Sequence, residues 1–396
     1  MDRIFLKKHE EDRLRLGHPW VFDNEIERYQ GECPTGAPVE VLTKAGLYLG
    51  TGIMNRNSKI CVRIFTRDQK EAIDRAFFSR RIHAARENRE RLFGHDESYR
   101  LLFAESDLVP GLIVDRFAAE DGKIYLSVQF LTLGVDVFRD EIVSVLREET
   151  GATGIFERSD VHVRGLEGLS ERKGWIGTAL EPGITIRENG VRLRVDLENG
   201  QKTGYFLDQK ENRRRVATLS RGMRVLDTFT HTGSFGLNAW KGGAVSVEAV
   251  DISEEAVETA RANVSLNGAD SVMKAHAADA FDLLKEYDRD GRTFDLVILD
   301  PPAFTKSAKM IDKAYGGYKE INLRAMKILV PGGYLVTCSC SHFFDADHFY
   351  RMLQNAAQDA HRTVQVLGKY GPGPDHPALS GYQESDYLKC AVLRVW

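Results

Sequence analysis

Cysteine is scarce in this chain: five thiols, Cys33, Cys61, Cys338, Cys340 and Cys390, are scattered over 396 residues. An odd and dispersed set gives no disulfide framework, which excludes the small stapled folds of secreted domains. Long apolar runs are missing too, since no stretch approaches the roughly 20 uninterrupted apolar residues that a bilayer span needs. The first residues, MDRIFLKKHEEDRLRLGHPW, are charged throughout where a secretory leader needs an apolar centre. A cytoplasmic protein with no membrane partner is therefore expected. Neither sign of charge dominates: 54 Lys and Arg against 58 Asp and Glu leave a net charge of -4. That balance does not announce a polyanion binder, but it leaves room for a local basic face. The candidate is Lys210 with Arg213, Arg214 and Arg215, followed by Arg221 and Arg224. On charge alone such a run is as readily a solvated helix face. Neither a sequence repeat nor a low-complexity tract is present.

What is present divides the chain into three, as expected for a length beyond one hydrophobic core. Residues 1–70 hold short runs such as GAPVEVLTKAGLYLGTG and KICVRIFTR, whose alternation has the period of half-buried strands. They predict a small β domain. Residues 71–180 begin with EAIDRAFFSRRIHAARENRERLFG, apolar at spacings of three and four, and continue with the strand-like GLIVDRF and KIYLSVQF. A central α+β domain is predicted there. The third segment, 181–396, opens with ITIRENGVRLRVDL, in which Asn189 and Gly190 between alternating runs predict a hairpin with a type I′ turn. After Gly222, strands and helices alternate regularly: MRVLDTF, VSVEAVDI, VMKAHAA, FDLVILD, GYLVTCSC, TVQVLGK and LKCAVLRVW read as seven strands. This is the pattern of a doubly wound α/β sheet with helices on both faces.

In such sheets ligands bind beyond the carboxyl ends of the strands. The first strand ends in LDTFTHTGSFG, where Asp227 closes the strand and Gly233 with Ser234 opens the next helix. This loop is not a G-x-G-x-x-G cradle, which disfavours a dinucleotide or a nucleoside triphosphate. The second strand ends at Asp251, placed to accept from ribose hydroxyls, and Asp279 after the third could meet an adenine amine. Each aspartate alone is more readily a helix cap or loop residue than a functional one. Their recurrence at three successive strand ends points to a nucleoside without phosphates.

The fourth strand delivers LDPPAF, in which two prolines stiffen the turn that carries Asp300 and Phe304. A flat base could stack there while Asp300 bonds its edge; the bland alternative is a rigid loop over the core. The fifth delivers VTCSCSHF. A zinc site would need about four ligands, and besides His342 and His348 no second cysteine pair is near, so no metal is expected. Cys338 reads as a buried inert thiol. Cys340, nearer the strand exit, comes beside Asp300 if the fourth and fifth strands are neighbours. A thiol beside an acid suits one chemistry: a thiolate adds to C6 of a cytosine, C5 becomes nucleophilic, and the acid relieves the charge at N3.

The segments ENGQKTGYFLDQKENRRR, VLDTFTHTGSFG, DIS, DLVILDPPAFTKS and VTCSCS, in this order, closely resemble the class I S-adenosylmethionine-dependent 23S rRNA 5-methylcytosine methyltransferases. The likeness extends to LGHPWVFDNEI, similar to that family's N-terminal PUA RNA-binding domain, and to SDLVPGLIVDRF and ERSDVHVRGLEGL in its central domain. It implies a Rossmann-like sheet of seven strands with the last antiparallel, S-adenosylmethionine as cofactor and large-subunit rRNA as partner. It implies Cys340 as nucleophile and Asp300 as the acid that holds the base. The cofactor falls to Gln209, Asp227, Phe229, Thr232, Gly233, Asp251, Ile252, Asp279, Ala280 and Asp300. RNA contact falls to Phe304, Lys202 and Arg213. Cys338 departs from the family, whose members more often carry an aromatic or aliphatic residue there. The oligomeric state, monomer or homodimer, is left open.

Two other readings share the fold and cofactor. Exocyclic-amine methyltransferases place an aromatic directly after the prolines, where this chain has Ala303, and a guanine N7 methyltransferase with a similar D-P-P-x-F segment lacks the cysteine at Cys340. A reading of another class is a non-catalytic RNA-binding or assembly protein. Trp20 in HPWVF bears on it as either a core residue or a base-stacking platform.

Overall fold

The computed structural model describes residues 1–181, 183–305 and 307–396. They form two compact units, Met1–Ile186 with Val195–Asp208 and Pro374–Ser385 in one, and Arg187–Arg194 with Gln209–Gly373 and Asp386–Trp396 in the other.

The first unit begins with a six-stranded sheet built from Asp2–Leu6, Trp20–Phe22, Ile26–Gln30, Pro38–Leu42, Tyr48–Met54 and Ile60–Thr66. The alternating residues Ile4, Leu6, Val39, Val41 and Val62 face inward and make its core. Helix Arg75–Phe93 follows, started by the Asp74 carboxylate, which accepts from the Phe77 backbone N–H at 2.9 Å. A second sheet of five strands, Tyr99–Phe103, Leu112–Ala118, Ile124–Phe130, Gly154–Ser159 and Arg172–Trp175, packs its apolar side chains in a core shared with that helix. Trp20 is half-buried, donating from Nε1 to Glu105 at 2.8 Å with its ring edge-on to Tyr382, so it is tied into the packing of this unit.

The hairpin Gly183–Glu188 and Val191–Asp196 turns at Asn189 (φ 52°) and Gly190 (φ 77°). Both dihedrals are positive, as a type I′ turn requires.

The second unit carries seven strands: β1 (Arg224–Thr228), β2 (Ser246–Asp251), β3 (Met273–Ala277), β4 (Phe294–Leu299), β5 (Leu329–Ser339), β6 (Val364–Tyr370) and β7 (Lys389–Val395). Their spatial order is β3-β2-β1-β4-β5-β7-β6. The first five are parallel to one another, and β7 inserts antiparallel between β5 and β6. The winding direction reverses between β1 and β4, which makes their carboxyl ends the crevice of the sheet. Leu226, Val297, Leu299 and Leu335 of the sheet meet Tyr318, Ile321 and Ala325 of helix Ile311–Ile328 and Met352 of helix Ala346–Asp359, all fully buried. Each such large apolar side chain contributes about 1.5–3 kcal/mol. Among the described residues no helix is long and apolar enough to cross a membrane.

Candidate active site at the strand ends

The loop after β1 is built around Asp227, which is completely buried. Its Oδ2 accepts from the Thr230 hydroxyl and from the Gly236 N–H at 2.8 Å, while Oδ1 has no hydrogen-bond partner among the described residues. Burial, opposed by these two bonds and joined by the negative charges of Asp300 and Asp251, pushes its carboxyl up to about 7. The loop is conformationally costly: Phe229 and His231 take φ of 59° and 51°, beside Gly233 at 81°. Non-glycine residues in the left-handed region cluster where a ligand has to be met. The Gly233 position is also tight, since a Cβ there would stand 3.2 Å from both Ala260 Cβ and Met273 Cε.

Asp251 sits at the end of β2 and fastens that loop. Its Oδ2 accepts from the His231 N–H at 2.9 Å and its Oδ1 from the Ser253 N–H at 3.0 Å. The next residue, Ile252, is 71% exposed, a large apolar side chain left on the surface at the lip of the sheet. Asp279 after β3 is exposed and caps helix Ala280–Arg289, accepting from the Phe281 N–H at 2.7 Å, so it has the structural role as well as the strand-end position. Ala280 behind it is buried. Thr232 is buried, and its hydroxyl has no hydrogen-bond partner among the described residues.

At β4 and β5 the expected neighbours meet. The strands pair in parallel with Leu299 opposite Thr337, and the Cys340 thiol donates to the carbonyl of Pro301 at 3.9 Å, next to Asp300. Strand β5 ends at Ser339, so Cys340 lies just past it and is half-buried. Cys338 is different: it is fully buried opposite Cys390 of β7. Contact with Cys390, together with burial, holds its thiol well above the ordinary range, which disfavours a thiolate there.

Sequence reasoning placed Gln209 near the cofactor, and the structure gives it a definite neighbour. Its Nε2 donates to Asp300 Oδ1 at 2.8 Å, and its Oε1 accepts from Asn212 Nδ2 at 2.7 Å, which also reaches the Gly371 carbonyl at 3.1 Å. Asn212, three residues on along the same segment, was missed; an amide pair at that spacing is the only trace of it in the sequence. Phe304 is half-buried with its ring on Tyr318 (centroids 4.5 Å apart) and Phe281 (5.8 Å), so part of its surface is given to the core.

Arg213 must be withdrawn from RNA contact. It is 1% exposed and its guanidinium grips Glu188 through Nε at 2.6 Å and a terminal nitrogen at 3.0 Å. A buried fork engaged in this way cannot reach a phosphate. Most of that basic segment is also committed, although Arg221 is exposed. Lys210 is buried, Arg214 pairs with Glu211, Arg215 lies over the Tyr370 ring at 4.0 Å, and Arg224 pairs with Asp295. Lys202 belongs to the first unit, exposed, with its ammonium 4.5 Å from the centre of the Phe206 ring.

The unsatisfied Asp227 carboxyl oxygen, the strained glycine-bearing loop and the exposed Ile252 fit a ligand with a cationic centre and a flat apolar part, as S-adenosylmethionine has. Comparison with known proteins agrees. Residues 170–382 match the family of S-adenosylmethionine-dependent methyltransferases, and residues 4–67 match a PUA-like domain. The chain is 43% identical over 399 residues, covering 100% of this chain and 99% of the relative, to a protein of Shewanella denitrificans named ribosomal RNA large subunit methyltransferase I. A protein of the same name from Aliivibrio fischeri is 42% identical, with 99% of each chain covered. In fold the chain resembles a candidate SAM-dependent methyltransferase from Streptococcus mutans (TM-score 0.82, 21% identity) and SMU.776 solved with SAH (TM-score 0.83, 20% identity), each over 100% of both chains. Taken with the site, these matches show that the chain belongs to the S-adenosylmethionine-dependent methyltransferases that carry an N-terminal PUA-like domain, within the family named ribosomal RNA large subunit methyltransferase I.

Proposed function

We propose that this protein methylates C5 of a cytosine in large-subunit ribosomal RNA through a covalent adduct between Cys340 and C6 of the base. The observation that carries the reading is the placement of the Cys340 thiol at the Pro301 carbonyl, beside an Asp300 carboxyl oriented by Gln209. The names of the relatives support ribosomal RNA as substrate. When bound, S-adenosylmethionine supplies an electrophilic methyl group on a sulfonium sulfur. Asp227, Phe229, Thr232 and Gly233 hold its charged end, and Asp251, Ile252, Asp279 and Ala280 hold the nucleoside.

The residues of the chain then divide the work. The Cys340 thiolate adds to C6 and leaves C5 with the electron density of an enamine carbon. Asp300 donates a proton toward N3 and accepts from the N4 amine, relieving the charge that the addition places on the ring. Once C5 is methylated, loss of its proton to solvent expels the Cys340 thiolate as the C6–S bond breaks, the C5–C6 double bond is restored, and N3 returns its proton to Asp300. The base reaches this pocket only when turned out of its stack, with Phe304 and Lys202 assigned to the RNA.

RNA containing 5-fluorocytidine tests the adduct, because fluorine at C5 cannot leave as a proton does. Incubation with S-adenosylmethionine should give a covalent protein–RNA band with the wild type and none with Cys340→Ala. A band that persists in Cys340→Ala would remove that thiol from the chemistry.

A further inference from the structure

A buried lysine beside this site has no part in the reading above. Lys389, the first residue of β7, lies opposite Ser339 in the antiparallel pairing of β5 with β7. It is 6% exposed, and its Nζ donates to the carbonyl of Ser341 at 2.7 Å and to that of Tyr387 at 2.8 Å. The side chain therefore runs alongside Cys340, from the residue before it to the residue after it. Ser341 is held from another direction as well, its hydroxyl within 2.8 Å of the Tyr318 hydroxyl, while the Tyr318 ring stacks on Phe344 at 5.0 Å.

Burying an ammonium costs several kcal/mol, and two carbonyls satisfy two of its three donors without cancelling its charge. Burial lowers the lysine to about 8, and the groups that favour its charged form are Cys340 first, then Asp386 and Asp345. At neutral pH it remains mostly a cation. Around Cys340 itself stand Lys389, the Tyr318 phenol, which burial keeps neutral, and Asp300 at the neighbouring strand end. Among these groups Lys389 is the cation. The interaction is reciprocal: a charge favoured by a Cys340 thiolate favours that thiolate equally.

We propose that Lys389 is a positioning residue for Cys340, its ammonium fixing the Cys340–Ser341 backbone and supplying the positive charge that keeps the thiolate populated at neutral pH. The Cys340 proton leaves to solvent while Lys389 keeps its own. The inference rests on Cys340 as the nucleophile of the proposed reaction.

The test is the pH profile of Cys340 alkylation by iodoacetamide in the full-length protein without RNA, read by mass spectrometry of the Cys340 peptide. Lys389→Gln keeps N–H donors but loses the charge; Lys389→Arg keeps the charge. The Gln variant should titrate about one unit higher than wild type, alkylating about tenfold more slowly at pH 7, and the Arg variant should stay with wild type. A Gln profile superimposed on wild type, or an Arg profile displaced as far as Gln, overturns the proposal. The nucleoside product is read separately. Label outside 5-methylcytidine with the alkylation shift intact overturns the proposed reaction alone, and 5-methylcytidine with no shift overturns the role of Lys389 alone.

Discussion

At the scale of single residues, two thiols two positions apart have opposite fates. Cys338 faces Cys390 in the interior and is held protonated; Cys340 emerges beside Asp300. Cys340→Ala should abolish methyl transfer, a loss of at least 1000-fold in a labelled-methyl assay, whereas Cys338→Ala should keep most of the activity and lose about 1–2 kcal/mol of stability. The reverse pattern contradicts the assignment. Asp227 offers a pH test. Its carboxyl is raised to about 7, so the cofactor-free fold is favoured while it is protonated, and that contribution is lost as pH rises through about 7. A cationic ligand favours the ionised form, so S-adenosylmethionine should bind more tightly at pH 8 than at pH 6 by calorimetry. Asp227→Asn should flatten that dependence and weaken binding about tenfold or more. The strand-end placement of Asp227, Asp300 and Cys340 was legible because strand ends are where such sheets present side chains. The Lys389 contact was not, since one lysine opening an apolar strand says nothing about the carbonyls it will meet.

At the scale of elements, the segment from Gln209 to Asn212 works as a brace, passing the fixed Gly371 carbonyl through two amides to Asp300. Asn212→Ala should leave Gln209 underdetermined and lower kcat about 10- to 100-fold with little change in cofactor affinity, as loss of a supporting hydrogen-bond partner does elsewhere. Equal losses in kcat and cofactor binding would argue for a general collapse of the segment. The same helix shows where charge patterning misleads. Arg213 looked like a phosphate contact because its pattern is blind to Glu188, 25 residues earlier on the hairpin. Arg213→Met leaves that carboxylate buried and alone, so urea unfolding should show a loss of about 3–5 kcal/mol, with RNA affinity per folded molecule unchanged in filter binding. The seven strands and the type I′ turn, by contrast, were readable from hydrophobic period and from Asn189-Gly190, because both signals are local.

At the scale of the whole molecule, the chain crosses between its two units more than once. Val195–Asp208 and Pro374–Ser385 belong with the first unit although their sequence neighbours belong to the second. No local signal announces that interleaving, because it is fixed by pairings across long sequence separations, such as Thr203 with Asp115 and Arg89 with the Asp375 carbonyl. The central proposal is that Cys340 and Asp300 act together on a base of large-subunit RNA. The most direct measurement is incubation with methyl-labelled S-adenosylmethionine and unmodified large-subunit rRNA, then digestion and chromatography of the nucleosides. The account predicts label in 5-methylcytidine, and none with Cys340→Ala. Label in a methylated guanosine or adenosine, undiminished by that substitution, would contradict it.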